Sequence, residues 1–285
     1  MALARSRPQR YRGVVRTSKE QIVDAGGGAL TGGRRAGEGP LWNRRRLSEP
    51  HRQPDKARRV RRMFDAIAPT YELINRLASF GMDGAWRRRA VLLSGTGGQD
   101  AVLDIACGTG DLARAFARRA GTVVGADFAE NMLTRAANRQ RTDRPAGRLR
   151  WCRADALRLP FADGTFNMTA CAFGVRNFQD PGAGFREMCR ALRPGGRAVI
   201  VEFSMPDNRL LRWVYGAYFE WVMPLLATVI SRDRTGAYRY LARSVVAFAS
   251  RDDVVADLRR AGFARVAVHP LTLGVVVVYV AEKDA

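Results

Sequence analysis

The sequence predicts an α/β fold: a doubly wound, mostly parallel seven-stranded sheet with helices on both faces and an antiparallel C-terminal edge strand. Three observations predict it. Short apolar stretches alternate with helical segments from about residue 101 onward. A turn of small residues joins the first of these strands to the first helix. Residues 264–283 then form two apolar stretches separated by a turn.

The elements follow one another in a regular order. Residues 60–93 carry apolar side chains at helical spacing, interrupted at Pro69, which predicts two or three short helices. Five strands are predicted at "AVLDIA", "TVVGAD", "LRWCRA", "FNMTACAFGV" and "GRAVIVEFS". Helices are predicted at "GDLARAFARRA", "AENMLTRAANRQ", "GAGFREMCRAL" and "RDDVVADLRRAGF", the last of them before the final strand pair. Such alternation is typical of a parallel sheet covered on both faces.

Charge is distributed unevenly along the chain. The formal net charge is +21, and residues 1–62 alone hold 17 Lys and Arg against 5 Asp and Glu. We interpret residues 1–55 as a disordered basic extension, with a transit peptide and a misassigned start codon as alternatives. Residues 56–285 form the predicted domain, with an insertion at about 205–250. The charge suits an anionic partner, but a general preference for arginine explains it equally well.

The cysteine and histidine content argues against several kinds of site. The four cysteines have no CxxC spacing, and the chain contains only two histidines. We therefore expect reduced thiols in a cytoplasmic protein, no metal and no histidine-based triad. Cys171, in the context "TACAFG", is expected to be buried rather than nucleophilic.

The turn "LDIACGTGDL" after the first strand predicts a ligand site. Parallel sheets bind ligands beyond the carboxyl ends of their strands, where small residues let a ligand approach free helical N–H groups. The spacing Asp104-x-x-x-Gly108-x-Gly110 is tighter than the GxGxxG of dinucleotide-binding loops. It suits a ligand without a phosphate, such as S-adenosylmethionine, and counts against a nicotinamide-dependent dehydrogenase.

Acids after the next two strands support a nucleoside ligand. Asp127 ends "VVGAD", 17 positions after Gly110, where a carboxylate can accept hydrogen bonds from both ribose hydroxyls. Asp155 follows the third strand and is placed to accept the adenine amino group, with the Ala156 amide beside it. A lone acid of this kind is more often a helix cap or a solvated loop end. Asp104 and Asp127 together, each at the end of its own strand, favour a nucleoside-type cofactor.

Several stretches together carry a family resemblance. The glycine loop and "LRPGG" are common to many methyltransferases, whereas "FGVRN", the late "AYRYL" and the early "MFDAIAPTYELINRL" are more specific. From about Val60 onward the chain resembles the ubiquinone/menaquinone biosynthesis C-methyltransferases, a class I S-adenosylmethionine-dependent family. The resemblance implies C-methylation of a polyprenylated hydroquinone, with demethylmenaquinol preferred and the benzoquinol of the ubiquinone pathway as the alternative.

The resemblance also implies site residues. The family's cofactor contacts fall on Thr109, Asp127, Asp155 and Ala156. A serine common in the family before "FG" is Ala172 here, so that contact is lost or made by the backbone. Two further departures occur at "YE" and "NR" in residues 71–76, and the second weakens any claim for a catalytic acid there.

Three residues are predicted to serve the substrate. Arg176 follows the fourth strand, and we expect it to stabilise the developing phenolate; the alternative is an ion pair with a nearby acid that fixes the loop. Tyr238 and Tyr240 are expected to wall the substrate or donate hydrogen bonds to it, with packing as an equal alternative.

The insertion suggests a membrane surface. Residues 210–231 are apolar and aromatic but broken by Glu220 and Pro224, which predicts a lid that touches the membrane rather than a span. A buried lid helix is the alternative.

The sequence disfavours two other functions. A nucleic-acid methyltransferase is disfavoured, since "AFGVRN" stands where amino-group methylators carry an Asn/Asp-Pro-Pro-aromatic motif. A nonenzymatic binding protein on the same fold is disfavoured by the intact glycine loop and its acids. The oligomeric state stays open, a homodimer included.

Overall fold

The computed structural model describes residues 41–142, 148–218 and 236–285. Its strands are β1 (Ala101–Ile105), β2 (Thr122–Asp127), β3 (Arg148–Arg153), β4 (Phe166–Ala172), β5 (Leu192–Phe203), β6 (Phe263–Leu271) and β7 (Val276–Lys283). Its α-helices are α1 (Arg44–Ser48), α2 (Lys56–Ile67), α3 (Tyr71–Ala78), α4 (Asp83–Leu93), α5 (Asp111–Ala117), α6 (Glu130–Thr142), α7 (Pro181–Ala191), α8 (Arg209–Ala217), α9 (Ala237–Val246) and α10 (Arg251–Arg260). Short 3₁₀ turns cover Val175–Asn177 and Thr272–Gly274.

The seven strands form one sheet in the order β3-β2-β1-β4-β5-β7-β6. The pairs β1–β2, β1–β4, β2–β3 and β4–β5 are parallel, and β7 runs antiparallel to both β5 and β6. This confirms the predicted fold class. The antiparallel strand, β7, is not the edge strand that the sequence predicts, because β6 lies outside it. The strand order reverses between β1 and β4, which is where such sheets bind ligands.

Two apolar cores cover the two faces of the sheet. Successive residues of β1 point to opposite faces, so Leu103 packs into one core and Val102 into the other. The first core contains residues of α7 and α10, and the second contains residues of α4 and α5. Helices on both faces are the reason that the parallel strands carry almost continuous apolar sequence.

The N-terminal boundary of the domain differs from the predicted one. Residues 41–55, expected to belong to a disordered extension, contain α1, whose N-cap Asn43 accepts a hydrogen bond from the Arg46 amide at 3.1 Å. Trp42 is completely buried. Residues 41–55 therefore pack with the domain, although no local apolar periodicity in the sequence marks this segment. Residues 1–40 lie outside the described residues.

The predicted insertion contributes α8 and α9, and residues 219–235 between them lie outside the described residues. The α8 helix has no buried residue, whereas α9 is largely buried. Within the described ranges, none of the helices has the length and apolar character needed to cross a bilayer.

Candidate functional site

A cavity lies at the carboxyl ends of four neighbouring strands. Each strand contributes residues at or just beyond its end: Ile105, Ala106 and Gly108 after β1; Asp127 and Phe128 at β2; Ala154, Asp155 and Ala156 after β3; Ala172, Phe173 and Gly174 at β4. The helices α2 and α3 close its outer side with Ala57, Phe64 and Tyr71. The cavity therefore occupies the ligand position that the strand order predicts.

The glycine loop is held open by backbone geometry and by one carboxylate. Ala106, Gly108 and Gly110 all have positive φ angles, of 54°, 56° and 83°. The Gly108 amide donates a hydrogen bond of 2.8 Å to Oδ2 of Asp127, and the Ala129 amide donates one of 2.8 Å to Oδ1. A Cβ on Gly108 would meet no atom within 4 Å, so this loop leaves open space at the cavity.

The carboxylate of Asp127 can accept further hydrogen bonds from a ligand. Each carboxylate oxygen can accept more than one hydrogen bond, and the side chain lines the cavity. Burial raises its pKa to about 6, although the backbone amides of Ala129, Gly108 and Phe128 favour the charged form. At neutral pH the carboxylate is therefore mostly ionised and able to accept from hydroxyl groups.

Asp104 lies beneath the glycine loop as a buried acid. Its side chain is 1% exposed, and neither carboxylate oxygen has a hydrogen-bond partner within the described ranges. Burial raises its pKa to about 8, which the positive charge of Arg87 offsets only in part. An unpaired buried carboxyl is costly, and a cationic group bound beside it would remove that cost.

The remaining predicted cofactor residues divide into two groups. Asp155, Ala156 and Ala172 line the cavity with Gly108 and Asp127. Asp155 Oδ1 accepts from the Leu157 amide at 2.9 Å, so its side chain also shapes the turn after β3.

Thr109 and Gly110 are outside the cavity lining. Thr109 is buried, and its hydroxyl accepts from Arg139 Nη1 at 3.2 Å. Gly110 begins α5, and a Cβ there would collide with the ring of Trp151. The second glycine is therefore required by packing within the protein rather than by approach of a ligand.

The structure places Arg176 in a buried ion pair. Its Nη1 donates to Oε1 of Glu202 at 2.7 Å and to the Phe173 carbonyl at 2.6 Å, and its Nε donates to Ser244 Oγ at 3.3 Å. Both Arg176 and Glu202 are at least 95% buried. This is the pairing that the sequence analysis gave as the alternative. Arg176 also lines a cavity, so its contact with the substrate stays a prediction.

Tyr238 and Tyr240 do not line a described cavity and are both buried. The Tyr238 hydroxyl lies 3.1 Å from Thr70 Oγ1. The Tyr240 hydroxyl donates to Asn177 Oδ1 at 3.2 Å, and its ring stacks on Trp42. Here too the structure favours the packing alternative over direct contact with a substrate.

A second cavity adjoins the first and is the more polar. Tyr71 and Phe173 line both, and the second cavity adds Asn75, Asp83, Arg87 and Arg176. Asp83 forms an ion pair with Arg87 and accepts from Ser79 Oγ at 3.2 Å.

A third cavity is almost entirely apolar. It shares Ala78, Ser79, Trp86 and Phe203 with the second. Its other walls include Phe80, Val214 and Leu273, which come from the α3–α4 turn, α8 and the 3₁₀ turn before β7.

Sequence reasoning missed the polar residues Asp83 and Arg87. They belong to a helix that was predicted only as part of the segment before β1. Their spacing of four residues, which places both on one helix face, was the available signal.

Comparison with known proteins identifies the sequence family of the chain and its fold. The sequence model described as the ubiE/COQ5 methyltransferase family matches residues 52–283. A demethylmenaquinone methyltransferase of Thermus thermophilus is 45% identical over 223 residues, covering 78% of this chain and 100% of that protein. A ubiquinone/menaquinone biosynthesis C-methyltransferase, UbiE, of Geobacter sulfurreducens is 41% identical, covering 82% and 91%. A SAM-dependent methyltransferase structure from Thermotoga maritima superposes with a TM-score of 0.55 at 18% identity, covering 79% of this chain and 100% of that one, a likeness in fold.

Proposed function

Since the chain belongs to the ubiE/COQ5 methyltransferase family, we propose that it methylates a ring carbon of a polyprenylated hydroquinone, using S-adenosylmethionine. Demethylmenaquinol is the substrate that we favour, because relatives at 45% and 41% identity carry the names demethylmenaquinone methyltransferase. The benzoquinol of ubiquinone biosynthesis is the second candidate, favoured by relatives named UbiE. The observation that carries the proposal is the series of three adjoining cavities.

The first cavity fits the cofactor. Asp127 offers acceptor oxygens for ribose hydroxyls, and Asp155 with the Ala156 amide offers an acceptor and a donor for the adenine edge. Asp104 does not line this cavity, but its buried carboxyl lies on β1 next to the lining residues Ile105 and Ala106, and its negative charge would favour the amino group of the methionine part. None of the lining residues is basic, as expected for a cofactor without a phosphate. When bound, S-adenosylmethionine supplies an electrophilic methyl group.

The second cavity fits the ring of the quinol. A ring carbon next to a hydroxyl becomes nucleophilic when that hydroxyl loses its proton. Asp83 is the carboxylate on this wall, and we assign it as the group that accepts the hydroxyl proton. The ring carbon gains the methyl group and loses its own proton, and the oxygen is reprotonated, so one proton is released for each methyl transferred.

Arg87 and Arg176 line the same cavity, and stabilisation of the phenolate remains a proposal for them. Each is already paired with a carboxylate, Arg87 with Asp83 and Arg176 with Glu202. The pairing neutralises much of the charge and holds each guanidinium in one orientation. We therefore propose that positioning and exclusion of water contribute more than a free cation.

The third cavity suits the polyprenyl tail, and its surroundings suit a membrane. Phe80, Trp213 and Leu273 are 76%, 72% and 76% exposed, and Phe80 and Leu273 lie on the cavity wall. The arginines of α8, Arg209 and Arg212, are exposed beside these apolar side chains. Exposed large apolar residues grouped with basic ones are typical of contact with an anionic bilayer. We propose that the protein works at the cytoplasmic membrane surface.

The test of the reaction is methyl transfer from a labelled donor, with demethylmenaquinol and the benzoquinol offered separately to the purified protein. We expect label in the naphthoquinol product and much slower transfer to the benzoquinol. A preference for the benzoquinol would reassign the substrate. Transfer to neither quinol would refute the proposal.

The membrane contact is tested by flotation with anionic liposomes. Trp213→Ala should reduce the floated fraction. Leu92→Ala is the matched control, because Leu92 is also exposed, at 51%, but belongs to α4 and not to α8. Equal flotation of both variants and the unaltered protein would contradict a contact through α8.

A further inference from the structure

Residues 41–51, here called the N-terminal clasp, precede the part of the chain that the family model matches, which begins at residue 52. Despite that, the clasp is packed against the methyltransferase domain. Trp42 is completely buried, Leu47 is 8% exposed, and the Leu41 carbonyl accepts from Arg59 Nη1 of α2 at 3.2 Å. We propose that the clasp positions the 3₁₀ turn Val175–Asn177 for cofactor binding and methyl transfer, with Trp42 as its main positioning residue.

The first connection runs from Trp42 to the cofactor cavity. The indole stacks on the Tyr240 ring with centroids 4.0 Å apart and planes at 22°. The Tyr240 hydroxyl donates to Asn177 Oδ1 at 3.2 Å, and Asn177 lines the cavity. Trp42 therefore fixes the ring whose hydroxyl orients the Asn177 amide.

Close backbone packing maintains this connection. Gly236 precedes α9 with a φ of 79°, and a Cβ there would lie 2.5 Å from the Trp42 carbonyl oxygen. The start of α9 is thus shaped to accept the Trp42 backbone, so a side chain at position 236 would push the clasp outward.

The second connection runs from the end of the clasp to Arg176. His51 Nε2 lies 3.0 Å from the Ser244 carbonyl, and Ser244 Oγ accepts from Arg176 Nε at 3.3 Å. Burial, with the nearby charge of Lys56, lowers the His51 pKa to about 4, so the ring is neutral near pH 7. Two contacts of the clasp thus converge on two successive residues of one turn.

Because both contacts lead to the same turn, we infer that the clasp orients this turn and does not merely bury apolar side chains. Asn177 Nδ2 also donates to the Phe173 carbonyl at 3.3 Å, as Arg176 Nη1 does at 2.6 Å, so the turn and the end of β4 form one hydrogen-bonded unit. A side chain that must be ordered upon binding lowers affinity, and prior ordering removes that cost. Loss of one such hydrogen bond is expected to change affinity about two- to tenfold.

The inference rests on the proposed function, since it assumes that the first cavity binds the cofactor. The test compares Trp42→Ala, Trp42→Phe and Tyr240→Phe in the full chain, with Arg45→Ala as the control because Arg45 is an exposed residue of α1. The measurements are the Kd for S-adenosylhomocysteine, kcat, the KM for the quinol, and Tm.

We expect Trp42→Ala and Tyr240→Phe to raise the Kd about two- to tenfold and to lower kcat, with the quinol KM unchanged. Trp42→Phe keeps an aromatic stack and should restore most of the affinity, and Arg45→Ala should match the unaltered protein. Should Trp42→Ala not fold, Tyr240→Phe decides, because it retains the stack and removes only the hydroxyl.

Unaltered Kd and kcat in Tyr240→Phe would overturn the clasp inference while leaving the proposed function in place. So would a Trp42→Phe variant as impaired as Trp42→Ala. If the unaltered protein itself does not bind S-adenosylhomocysteine, the proposed function fails and the inference falls with it.

Discussion

Replacing Asp104 with asparagine should stabilise the ligand-free protein. The buried carboxyl has a pKa of about 8, against an ordinary value of 3.8. A raised native pKa means that the folded protein binds the proton more tightly than the unfolded chain, so stability is lost as pH rises from about 4 to about 8. A solution at pH 7 lies about three pH units above the ordinary pKa of this carboxyl group. Each is worth about 1.4 kcal/mol, so the cost is about 4 kcal/mol.

Asparagine keeps the shape of the side chain and removes this titration. Urea unfolding of Asp104→Asn and of the unaltered protein should therefore differ more at pH 7 than at pH 5, by about 3 kcal/mol. The same variant should bind S-adenosylhomocysteine more weakly, because the negative charge that attracts the ligand's amino group is lost. The reasoning is refuted if the gain in unfolding free energy of Asp104→Asn over the unaltered protein is no larger at pH 7 than at pH 5.

Three further predictions concern the site. Cofactor affinity should rise with pH up to about 8 as Asp104 ionises, and its pH dependence should be steeper below pH 6, where Asp127 is also protonated. Calorimetry from pH 5 to 8 checks this, and Asp127→Asn should lose the steeper part of the profile. A flat profile would contradict the prediction. Asp83→Asn should lower kcat about 100-fold or more with cofactor affinity unchanged, whereas Arg89→Ala, at an exposed position of the same helix, should be nearly normal; a kcat within threefold would exclude Asp83 as the base. Gly110→Ala should lower Tm more than Gly108→Ala, since both have positive φ but only the first meets Trp151, and equal Tm values would count against that packing.

The sheet could be predicted because its signals are local. Most strands of the parallel part are short apolar stretches bounded by turns, and the first glycine loop identifies the ligand edge without any long-range information. The clasp could not be predicted in this way. Trp42 is buried by Tyr240, which lies 198 positions further along the chain, and nothing near Trp42 in the sequence indicates that contact.

The acids proposed to bind the cofactor could be placed for the same reason, whereas the partner of Arg176 could not. Asp104 lies near the end of β1, Asp127 ends β2 and Asp155 follows β3, and the strand order places those ends together. Arg176 was correctly placed at the end of β4, but its partner Glu202 belongs to β5. Whether a cation faces a ligand or a neighbouring strand depends on that pairing, which a single sequence does not encode locally.

Titration calorimetry with S-adenosylhomocysteine tests the central claim most directly. The account predicts binding at one site per chain, weakened strongly by Asp127→Asn, and no binding of a nicotinamide dinucleotide. A protein that takes up the dinucleotide and ignores the nucleoside would contradict it.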